Sequence, residues 1–350
     1  MARRAALRLA VAGAGLIGRE HIARIRAHDD CTLVALADPS PSAAAVARAE
    51  GVALHADLGT MLDLIKPDGV ILATPNGLHV GGALACIERQ VPVLVEKPVA
   101  DTLADARRLS DAEAASRVPV LVGHHRRHSG VLEAAREVIA AGRLGRIVAV
   151  NGSATFRKPA RYFADGPWRA KAGGGPILIN LVHEIDNLRM LLGEIVQVQA
   201  MSSNAVRGFE VEDTATIGLR FANGALGSFL LSDCAASPRS WEQTSGENPA
   251  YDHHGDEDCY VIAGEHGSLN VPTMRLRTST GEASWWSPLN RETVSTEAHD
   301  PLARQLAHFC AVIRGDAEPR VSAADAARTL RVTLAVAESA RSGGMPVRID

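Results

Sequence analysis

A glycine-rich loop near the N-terminus constrains the fold more than any other part of the sequence. Residues 7–12, LRLAVA, predict a buried strand, and GAGLIG follows with Gly13, Gly15 and Gly18 at the G-x-G-x-x-G spacing. In such a loop the first glycine permits a tight turn, the second lets backbone approach a pyrophosphate, and the third lets the next helix pack closely on the strand. The pattern predicts a strand, a loop and a helix whose N-terminus faces the phosphates of a dinucleotide.

An acidic residue follows the loop at the distance that a dinucleotide site requires. A second apolar stretch, CTLVALAD, ends at Asp38, 20 residues after Gly18. A carboxylate at this position can accept hydrogen bonds from the ribose hydroxyls of NAD and would repel the 2′-phosphate of NADP. We therefore expect NAD as the cofactor, with NADP less favoured, and we expect Leu16 and Ile17 of the loop to line the same site.

Strand and helix patterns alternate through the N-terminal part of the chain, with strands at GVILAT, VPVLVE and VPVLVG. This alternation predicts a parallel, doubly wound sheet, in which ligands bind outside the carboxyl ends of the strands. Two such ends carry residues that we expect at the cofactor, namely Thr74, Pro75, Asn76, His79, Glu96 and Lys97. Lys97 is expected beside the nicotinamide, although Glu96 and Lys97 also fit a solvated ion pair where a strand stops at Pro98.

The pattern changes from about residue 124, where alternating apolar and polar residues are separated by turn signals such as ANGA. These signals are typical of antiparallel strands. We therefore predict a second domain built on a mostly antiparallel sheet, with a broad face on which subunits can meet. Within it, residues 238–258 are polar and lack periodicity, which is typical of a functional lid or a disordered segment. The acidic DHHGDED of this segment is interpreted as a mobile loop, and no metal site is predicted.

A predicted helix over 177–192 carries polar residues on one side. At about 100° per residue, Asn180, His183, Glu184 and Asn187 share a side, and apolar residues share the opposite one. An amphipathic helix explains this pattern without any function. The run GGGP ahead of the helix, however, is consistent with a close approach of the backbone, which makes Asn180, His183 and Asn187 candidate substrate-site residues.

Cationic side chains follow the last strand of the predicted parallel sheet, in the sequence GHHRRH. The guanidinium groups of Arg126 and Arg127 suit a planar carboxylate through paired hydrogen bonds. We therefore keep open a carboxylated substrate that these two arginines and His125 bind. The alternative is that these cations contact only the cofactor or the solvent.

Charge and cysteine content exclude several classes of protein. Lys and Arg number 37 against 40 Asp and Glu, and the net charge of −3 argues against binding to nucleic acid or to a membrane surface. The five scattered cysteines indicate reduced thiols and not a disulfide or zinc framework. No apolar run approaches the ~18 residues of a transmembrane helix. The apolar N-terminal stretch resembles a signal peptide but is needed as a strand, so a cytoplasmic protein is expected.

The motifs GAGLIG with Asp38, ATPNGLHV, EKPVA, GHHRRH, WRAKAGGG and INLVHEID occur in this chain in the order found in the Gfo/Idh/MocA family. That family is named for glucose–fructose oxidoreductase, inositol dehydrogenase and a rhizopine-catabolism protein. The resemblance spans nearly the whole chain. It implies a Rossmann domain over 1–123 and an α/β domain with a large open sheet over 124–350, and a homodimer or homotetramer.

The resemblance also implies an activity and the residues for it. The activity is that of an NAD(P)-dependent dehydrogenase on the secondary alcohol or ketone of a cyclic polyhydroxy compound, such as a sugar, cyclitol, sugar acid or carboxylated cyclic diol. Lys97 matches the catalytic lysine of the EKP motif, and His183 matches the histidine that serves as acid/base. Trp168 and Arg169 match a WR pair that lies near the cofactor.

The sequence departs from the family pattern at one position. Many members have an aspartate four residues before the histidine, where this chain has Ile179. Asn180 is the nearest polar replacement; it can bind a substrate hydroxyl but cannot act as a base, which puts an inositol substrate in doubt. Three other functions stay open: an NAD-dependent glycosidase or lyase that oxidises its substrate transiently, a non-catalytic NAD-binding sensor, and an imine or amino-acid reductase.

Overall fold

The computed structural model describes residues 4–297 and 299–349. Packing divides the chain into two compact units. The first contains the residues up to His125 together with Pro301–Leu330, and the second contains Arg126–Asp300 together with the residues from 331 onward. The domain boundary at residue 123 stays a prediction. Residues 301–330 pack with the first unit, whereas the predicted boundary would place them in the second domain.

The first unit is built on one parallel sheet. Its six strands are β1 (Leu7–Ala12), β2 (Cys31–Ala37), β3 (Ala53–His55), β4 (Gly69–Leu72), β5 (Val93–Glu96) and β6 (Val120–Gly123). They lie in the order β3-β2-β1-β4-β5-β6, the doubly wound order with its switch point between β1 and β4. Every neighbouring pair is parallel. The predicted Rossmann sheet is therefore confirmed.

Helices alternate with these strands. They are α1 (Leu16–Arg26), α2 (Ala43–Glu50), α3 (Leu58–Ile65), α4 (His79–Glu88) and α5 (Leu103–Ser116). The central strands are covered on both faces, which is why they are continuous apolar runs and not alternating ones. Leu9, Ile71 and Leu94 are fully buried in the resulting core.

The second unit is built on a nine-stranded sheet. Its strands are β7 (Ile147–Thr155), β8 (Ile195–Ser203), β9 (Thr214–Phe221), β10 (Leu226–Ser232), β11 (Tyr260–Gly264), β12 (Gly267–Val271), β13 (Arg275–Ser279), β14 (Leu289–Thr293) and β15 (Val347–Arg348). Their order is β14-β13-β12-β11-β7-β10-β9-β8-β15. Only the β7–β10 pair is parallel among the pairs described. The predicted large, open and mostly antiparallel sheet is confirmed.

The remaining helices are shared between the units. The second unit contains α6 (Gly130–Ala140), α7 (Ala160–Ala164), α8 (Val182–Leu192) and α9 (Trp241–Thr244), the first contains α10 (Pro301–Ile313), and α11 (Ala323–Arg341) is divided between them. Leu306 and Phe309 of α10 join the apolar core of the parallel sheet. Helical periodicity predicts an apolar face here, but it does not say which core that face covers.

The two faces of the nine-stranded sheet differ in polarity. On one face Ile217 and Phe229 are buried in the core of the second unit. On the other face Met201, Thr216 and Leu230 lie side by side across β8, β9 and β10, with Met201 64% exposed and Leu230 47% exposed. Met201 and Leu230 are thus exposed apolar side chains on the broad sheet face where we predict that subunits meet.

None of the described helices has both the length and the apolar character needed to cross a bilayer. The cysteines Cys31, Cys86, Cys234, Cys259 and Cys310 are all buried free thiols.

Candidate active site

The glycine loop between β1 and α1 has the geometry that its spacing predicts. Gly13 has φ +94°, and a Cβ there would lie 2.4 Å from the carbonyl oxygen of Ala73. A Cβ on Gly18 would lie 1.9 Å from the Gly13 carbonyl oxygen, whereas a Cβ on Gly15 would meet no atom within 4 Å. Gly13 and Gly18 are therefore required by packing, and Gly15 borders open space.

This open space fits the pyrophosphate of a dinucleotide. No side chain caps the N-terminus of α1, so the N–H groups of its first turn remain available to an anion. Leu16 and Ile17 lie in that first turn, and Leu16 is exposed. The structure is thus consistent with a bound dinucleotide at the end of β1.

Asp38, the acid expected at the ribose, is fixed beside the same loop. Its Oδ2 accepts a hydrogen bond from the backbone N–H of Ala14 at 2.7 Å, and its Oδ1 accepts one from the N–H of Ser40 at 2.7 Å. Burial opposes ionisation of this carboxyl, but the hydrogen bonds from Ala14 and Ser40 outweigh it and hold the pKa of Asp38 below its ordinary value. An ionised carboxylate here suits a 2′-hydroxyl better than a 2′-phosphate.

The ends of β4 and β5 are joined by a buried histidine. Nε2 of His79 lies 2.9 Å from the carbonyl oxygen of Thr74, and Nδ1 lies 2.8 Å from the carbonyl oxygen of Pro98. His79 therefore holds two loops together; its expected contact with the cofactor stays a prediction. Pro75 is exposed and Asn76 half-buried in this region. The Thr74 hydroxyl is buried without a hydrogen-bond partner in the described part of the chain, which suits a ligand atom.

Glu96, at the end of β5, bonds to α1 and to its own neighbour. Its Oε1 lies 2.8 Å from Nε2 of His21, and its Oε2 accepts the backbone N–H of Lys97 at 3.1 Å. Burial alone would raise the pKa of the Glu96 carboxyl, but the hydrogen bond to His21 and the charge of Lys97 hold it below its ordinary value. Glu96 thus fixes the backbone that presents Lys97, before a Lys97–Pro98 peptide bond that is cis, and it is not a surface charge.

The polar helix of the second unit begins with a π-helical turn, Ile177–Leu181, and continues as α8. The glycines ahead of it approach other groups closely, because a Cβ on Gly174 would lie 2.5 Å from the carbonyl oxygen of Arg169 and one on Gly175 would lie 2.6 Å from Oε1 of Glu212. The sequence predicted one regular helix from 177 to 192. Isolated π turns occur frequently at functional sites, and this one carries Asn180, three residues before His183.

Asn180 is held by a lysine that the sequence did not suggest. Nζ of Lys158 donates to Oδ1 of Asn180 at 2.7 Å and lies 3.3 Å from Oδ2 of Asp233. Burial lowers the pKa of Lys158 to about 8, and the charge of Asp233 offsets this only in part. His183, like Lys158, is almost completely buried. Lys158 lies in the irregular stretch RKPAR, where no pattern signals a function.

Arg126 pairs with carboxylates of the protein itself, which differs from its predicted role at the substrate. Its Nη1 donates to Oε1 of Glu184 at 2.6 Å, and its Nη2 donates to Oε1 of Glu242 at 2.8 Å. The hydroxyl of Tyr260 donates to the other oxygen of Glu184 and accepts from Nδ2 of Asn187 at 2.9 Å. Asn187 is fully buried, and its Oδ1 has no hydrogen-bond partner among the described residues; its role at a substrate stays a prediction.

Arg127 is used in the same way. Its Nε and Nη2 donate to the two carboxylate oxygens of Asp186 at 2.6 and 2.8 Å. Both arginines of GHHRRH thus bind carboxylates of α8. Glu184 and Asp186 are buried, and the arginine charges offset the cost of removing these two carboxylates from water. The contacts do not support a substrate carboxylate at either arginine. His125 is half-buried in the first unit, and its substrate role stays a prediction.

Residues 238–258 pack onto this network and so differ from the disordered segment that their composition suggested. Trp241 is buried, stacks on Tyr260 with ring centroids 6.0 Å apart, and donates to Oε2 of Glu247 at 3.1 Å. Burial raises the pKa of the Glu247 carboxyl to about 7, although Ser129 and Trp241 hydrogen-bond to it. The segment therefore contributes side chains to the core of the second unit.

The WR pair lies in a short 3₁₀ helix of the second unit, Pro167–Ala170. Trp168 is 52% exposed, and the guanidinium of Arg169 lies 3.9 Å from the ring centroid of Tyr162. Arg169 also donates to the backbone carbonyl of Tyr162. Their contact with a cofactor stays a prediction.

Two family models match this chain. A model described as "Oxidoreductase family, NAD-binding Rossmann fold" matches residues 7–124. A model described as "GFO/IDH/MocA C-terminal domain" matches residues 132–270.

Individual relatives agree with these matches. A 1,5-anhydro-D-fructose reductase of Ensifer adhaerens is 31% identical over 278 residues, which cover 79% of this chain and 78% of the relative. A scyllo-inositol 2-dehydrogenase (NAD(+)) of Bacillus subtilis strain 168 is 26% identical over 98% of this chain and 96% of its own length. Among solved structures, the WlbA dehydrogenase of Bordetella pertussis in complex with NADH and UDP-GlcNAcA has a TM-score of 0.79 and 27% identity, with 99% of each chain covered.

Proposed function

The chain belongs to the GFO/IDH/MocA family of NAD-binding oxidoreductases, and from this membership we propose its reaction. The protein transfers a hydride between NAD and a secondary alcohol or ketone of a cyclic polyhydroxy compound, such as a sugar, a cyclitol, a sugar acid or a carboxylated cyclic diol. The relatives whose names specify an anhydro-sugar or an inositol support this substrate class.

The observation that carries the proposal is the connected set of loops at one edge of the parallel sheet. The β4 loop contacts Gly13, His79 joins that loop to the carbonyl of Pro98, and Glu96 bonds to α1 through His21. Lys97 lies within this set, between Glu96 and Pro98. Since ligands bind at the carboxyl ends of such strands, the arrangement supports a role for Lys97 at the nicotinamide.

The chemistry needs a proton acceptor and a positive charge. Bound NAD⁺ supplies the hydride acceptor. We assign the proton of the substrate hydroxyl to the imidazole of His183 as general base, and we assign stabilisation of the developing alkoxide to Nζ of Lys97. A well-placed general base contributes about 10²- to 10⁴-fold, and a fixed positive charge in a water-excluded site contributes several kcal/mol. Asn180 binds an oxygen of the substrate.

We also propose that the protein works as a homo-oligomer. Met201, Thr216 and Leu230 form an exposed row on the open face of the nine-stranded sheet. A second copy of the chain that packs on this face would remove the two apolar side chains from water, which is favourable in proportion to the area buried.

The proposed reaction is tested by NADH formation across a panel of sugars, inositols, sugar acids and cyclic diols, each with NAD⁺ and with NADP⁺. Wild type should reduce NAD⁺ with members of at least one class, and Lys97→Met should not. Lys171→Met is the matched control, because Lys171 is an exposed lysine with an ion pair of 3.9 Å to Glu210. Absence of NADH with every class, or equal rates in the two variants, rejects the proposal.

A further inference from the structure

Lys158 and Asn180 form a contact whose geometry fixes the orientation of an amide. Lys158 follows β7, is almost completely buried, and places Nζ 2.7 Å from Oδ1 of Asn180 and 3.3 Å from Oδ2 of Asp233. On another side the ring centroid of Tyr162 lies 4.8 Å from Nζ. The hydrogens of the ammonium group are thus directed at two oxygens and an aromatic face, so Lys158 acts through its neighbours and not on a ligand.

An ammonium group can donate hydrogen bonds but cannot accept them. The atom of the Asn180 carboxamide that faces Lys158 must therefore be its oxygen, and the Nδ2 amide group is directed elsewhere. Asn180 belongs to the π-helical turn that directly precedes α8 and lies three residues before His183. Its amide is therefore a fixed donor close in sequence to the proposed general base.

We propose that Lys158 and Asn180 form a specificity-determining pair, in which Lys158 positions the carboxamide of Asn180 so that Nδ2 donates to an acceptor oxygen of the substrate. Such a donor binds any acceptor oxygen, and it binds a charged carboxylate oxygen more strongly than a neutral hydroxyl, carbonyl or ether oxygen. The inference rests on the proposed function because it concerns the substrate of that reaction. Asn180 would then recognise an acidic substrate. Arg126 and Arg127 would not, because they bind carboxylates of the protein.

The surroundings of Lys158 argue against a purely structural role. Asp233 has a second partner, since Nε of Arg207 donates to its Oδ1 at 2.8 Å, and it does not depend on Lys158 for compensation. Arg207 and Arg169 lower the pKa of Lys158 further, and Glu212 is another charged group near it. Burial of a cation whose pKa lies near 8 is costly to the fold, and Lys158→Met leaves Asp233 paired with Arg207, so that no buried carboxylate loses its last cationic partner.

The test compares Lys158→Met, Lys158→Arg and Asn180→Ala with wild type, and Lys171→Met is the matched control. The probes are two pairs that differ only in a carboxylate: D-glucose with D-glucuronate, and D-galactose with D-galacturonate. Dissociation constants are measured by calorimetry in the presence of saturating NADH, and kcat and KM are measured with NAD⁺ wherever turnover occurs. Melting temperatures are recorded for every variant.

Wild type and Lys171→Met should bind each uronate about tenfold or more tightly than its parent sugar, as expected for hydrogen bonds to a charged group. Asn180→Ala and Lys158→Met should lose this discrimination through KM, Lys158→Arg should keep most of it, and Lys158→Met should melt no lower than wild type. The discrimination of wild type should fall as pH rises through about 8.

Two results would overturn the pair. They are a wild type that binds uronates no more tightly than sugars, and a Lys158→Met variant that keeps full discrimination, whatever its melting temperature. These outcomes differ from failure of the proposed reaction, in which NADH binds but no compound of the wider panel reduces NAD⁺.

Discussion

Glu96 and His21 are joined by a buried contact of 2.8 Å between Oε1 and Nε2. This contact connects the helix that follows the glycine loop to the strand β5, which ends at Glu96 directly before Lys97. The backbone of the proposed catalytic lysine is therefore held by the same side chain that contacts α1, the helix proposed to bind the cofactor phosphates.

Glu96→Gln should lower the free energy of unfolding by about 1.5–3 kcal/mol, because it removes the charge of a buried carboxylate that bonds to His21 and to the backbone N–H of Lys97. The folded-state pKa of Glu96 is lowered, so the contribution is present above the unfolded-state pKa of about 4.3 and is lost as pH falls through the folded-state value. Urea unfolding at several pH values measures this. Glu88→Gln, at an exposed position, is the control. An equal loss for both variants, or a loss that persists at the lowest pH, would contradict the assignment.

The glycines of the loop should separate folding from cofactor binding. Gly18→Ala should destabilise the protein, because a Cβ there lies 1.9 Å from the Gly13 carbonyl oxygen. Gly15→Ala should keep the melting temperature but weaken NADH binding about tenfold or more, because its Cβ enters the space open to the pyrophosphate. Fluorescence titration with NADH and thermal unfolding measure the two effects. Gly81→Ala is the control, because a Cβ at this helical position meets nothing within 4 Å, and it should change neither NADH binding nor stability. If Gly81→Ala and Gly15→Ala bind NADH with the same affinity, this explanation is wrong.

Asp38→Ser should shift the cofactor preference toward NADP. The wild-type carboxylate is ionised at neutral pH, since its pKa is lowered, and it would repel a 2′-phosphate. We expect the ratio of kcat/KM for NAD⁺ to that for NADP⁺ to fall about tenfold or more, mainly through KM for NAD⁺. Asp111→Asn, at an exposed position of α5, serves as the control. A ratio unchanged by Asp38→Ser would mean that Asp38 serves the loop alone, through Ala14 and Ser40.

Charge on the open sheet face should disrupt the proposed oligomer. Met201→Asp and Leu230→Asp should each shift the protein to a smaller species in light scattering after size exclusion, because an interface excludes unpaired charge. Leu64→Asp is the control, since Leu64 is 70% exposed on α3 in the first unit. A wild type that is monomeric, or variants that keep its mass, would remove this face from consideration.

The sequence predicts the parts of the site that depend on local spacing. The glycine loop, Asp38 and the strand ends at Thr74 and Lys97 follow from positions close to each other in the chain, where loop chemistry and strand direction suffice. Partners that are distant in sequence were not predictable. Lys158 contacts Asn180 and Asp233, and Arg126 contacts Glu184 and Glu242, through the tertiary packing of the second unit and not through local sequence.

Periodicity shows which side of a helix is polar, but not what that side contacts. The side chains of Glu184 and Asn187 form buried hydrogen bonds on the side that the pattern marked as polar. The π-helical turn at Ile177–Leu181 was likewise invisible, because its residues are ordinary helix and strand formers. The polar side of this helix therefore faces a buried hydrogen-bond network and not solvent.

The measurement that tests the catalytic assignment most directly is single-turnover formation of NADH by His183→Gln, with the best substrate of the panel and saturating NAD⁺. We predict that the rate falls by about 10²- to 10⁴-fold while the dissociation constant for NADH stays at the wild-type value. His299→Gln, at an exposed histidine, should leave both quantities unchanged. A His183→Gln rate within a few-fold of wild type would contradict the proposal that His183 accepts the substrate proton.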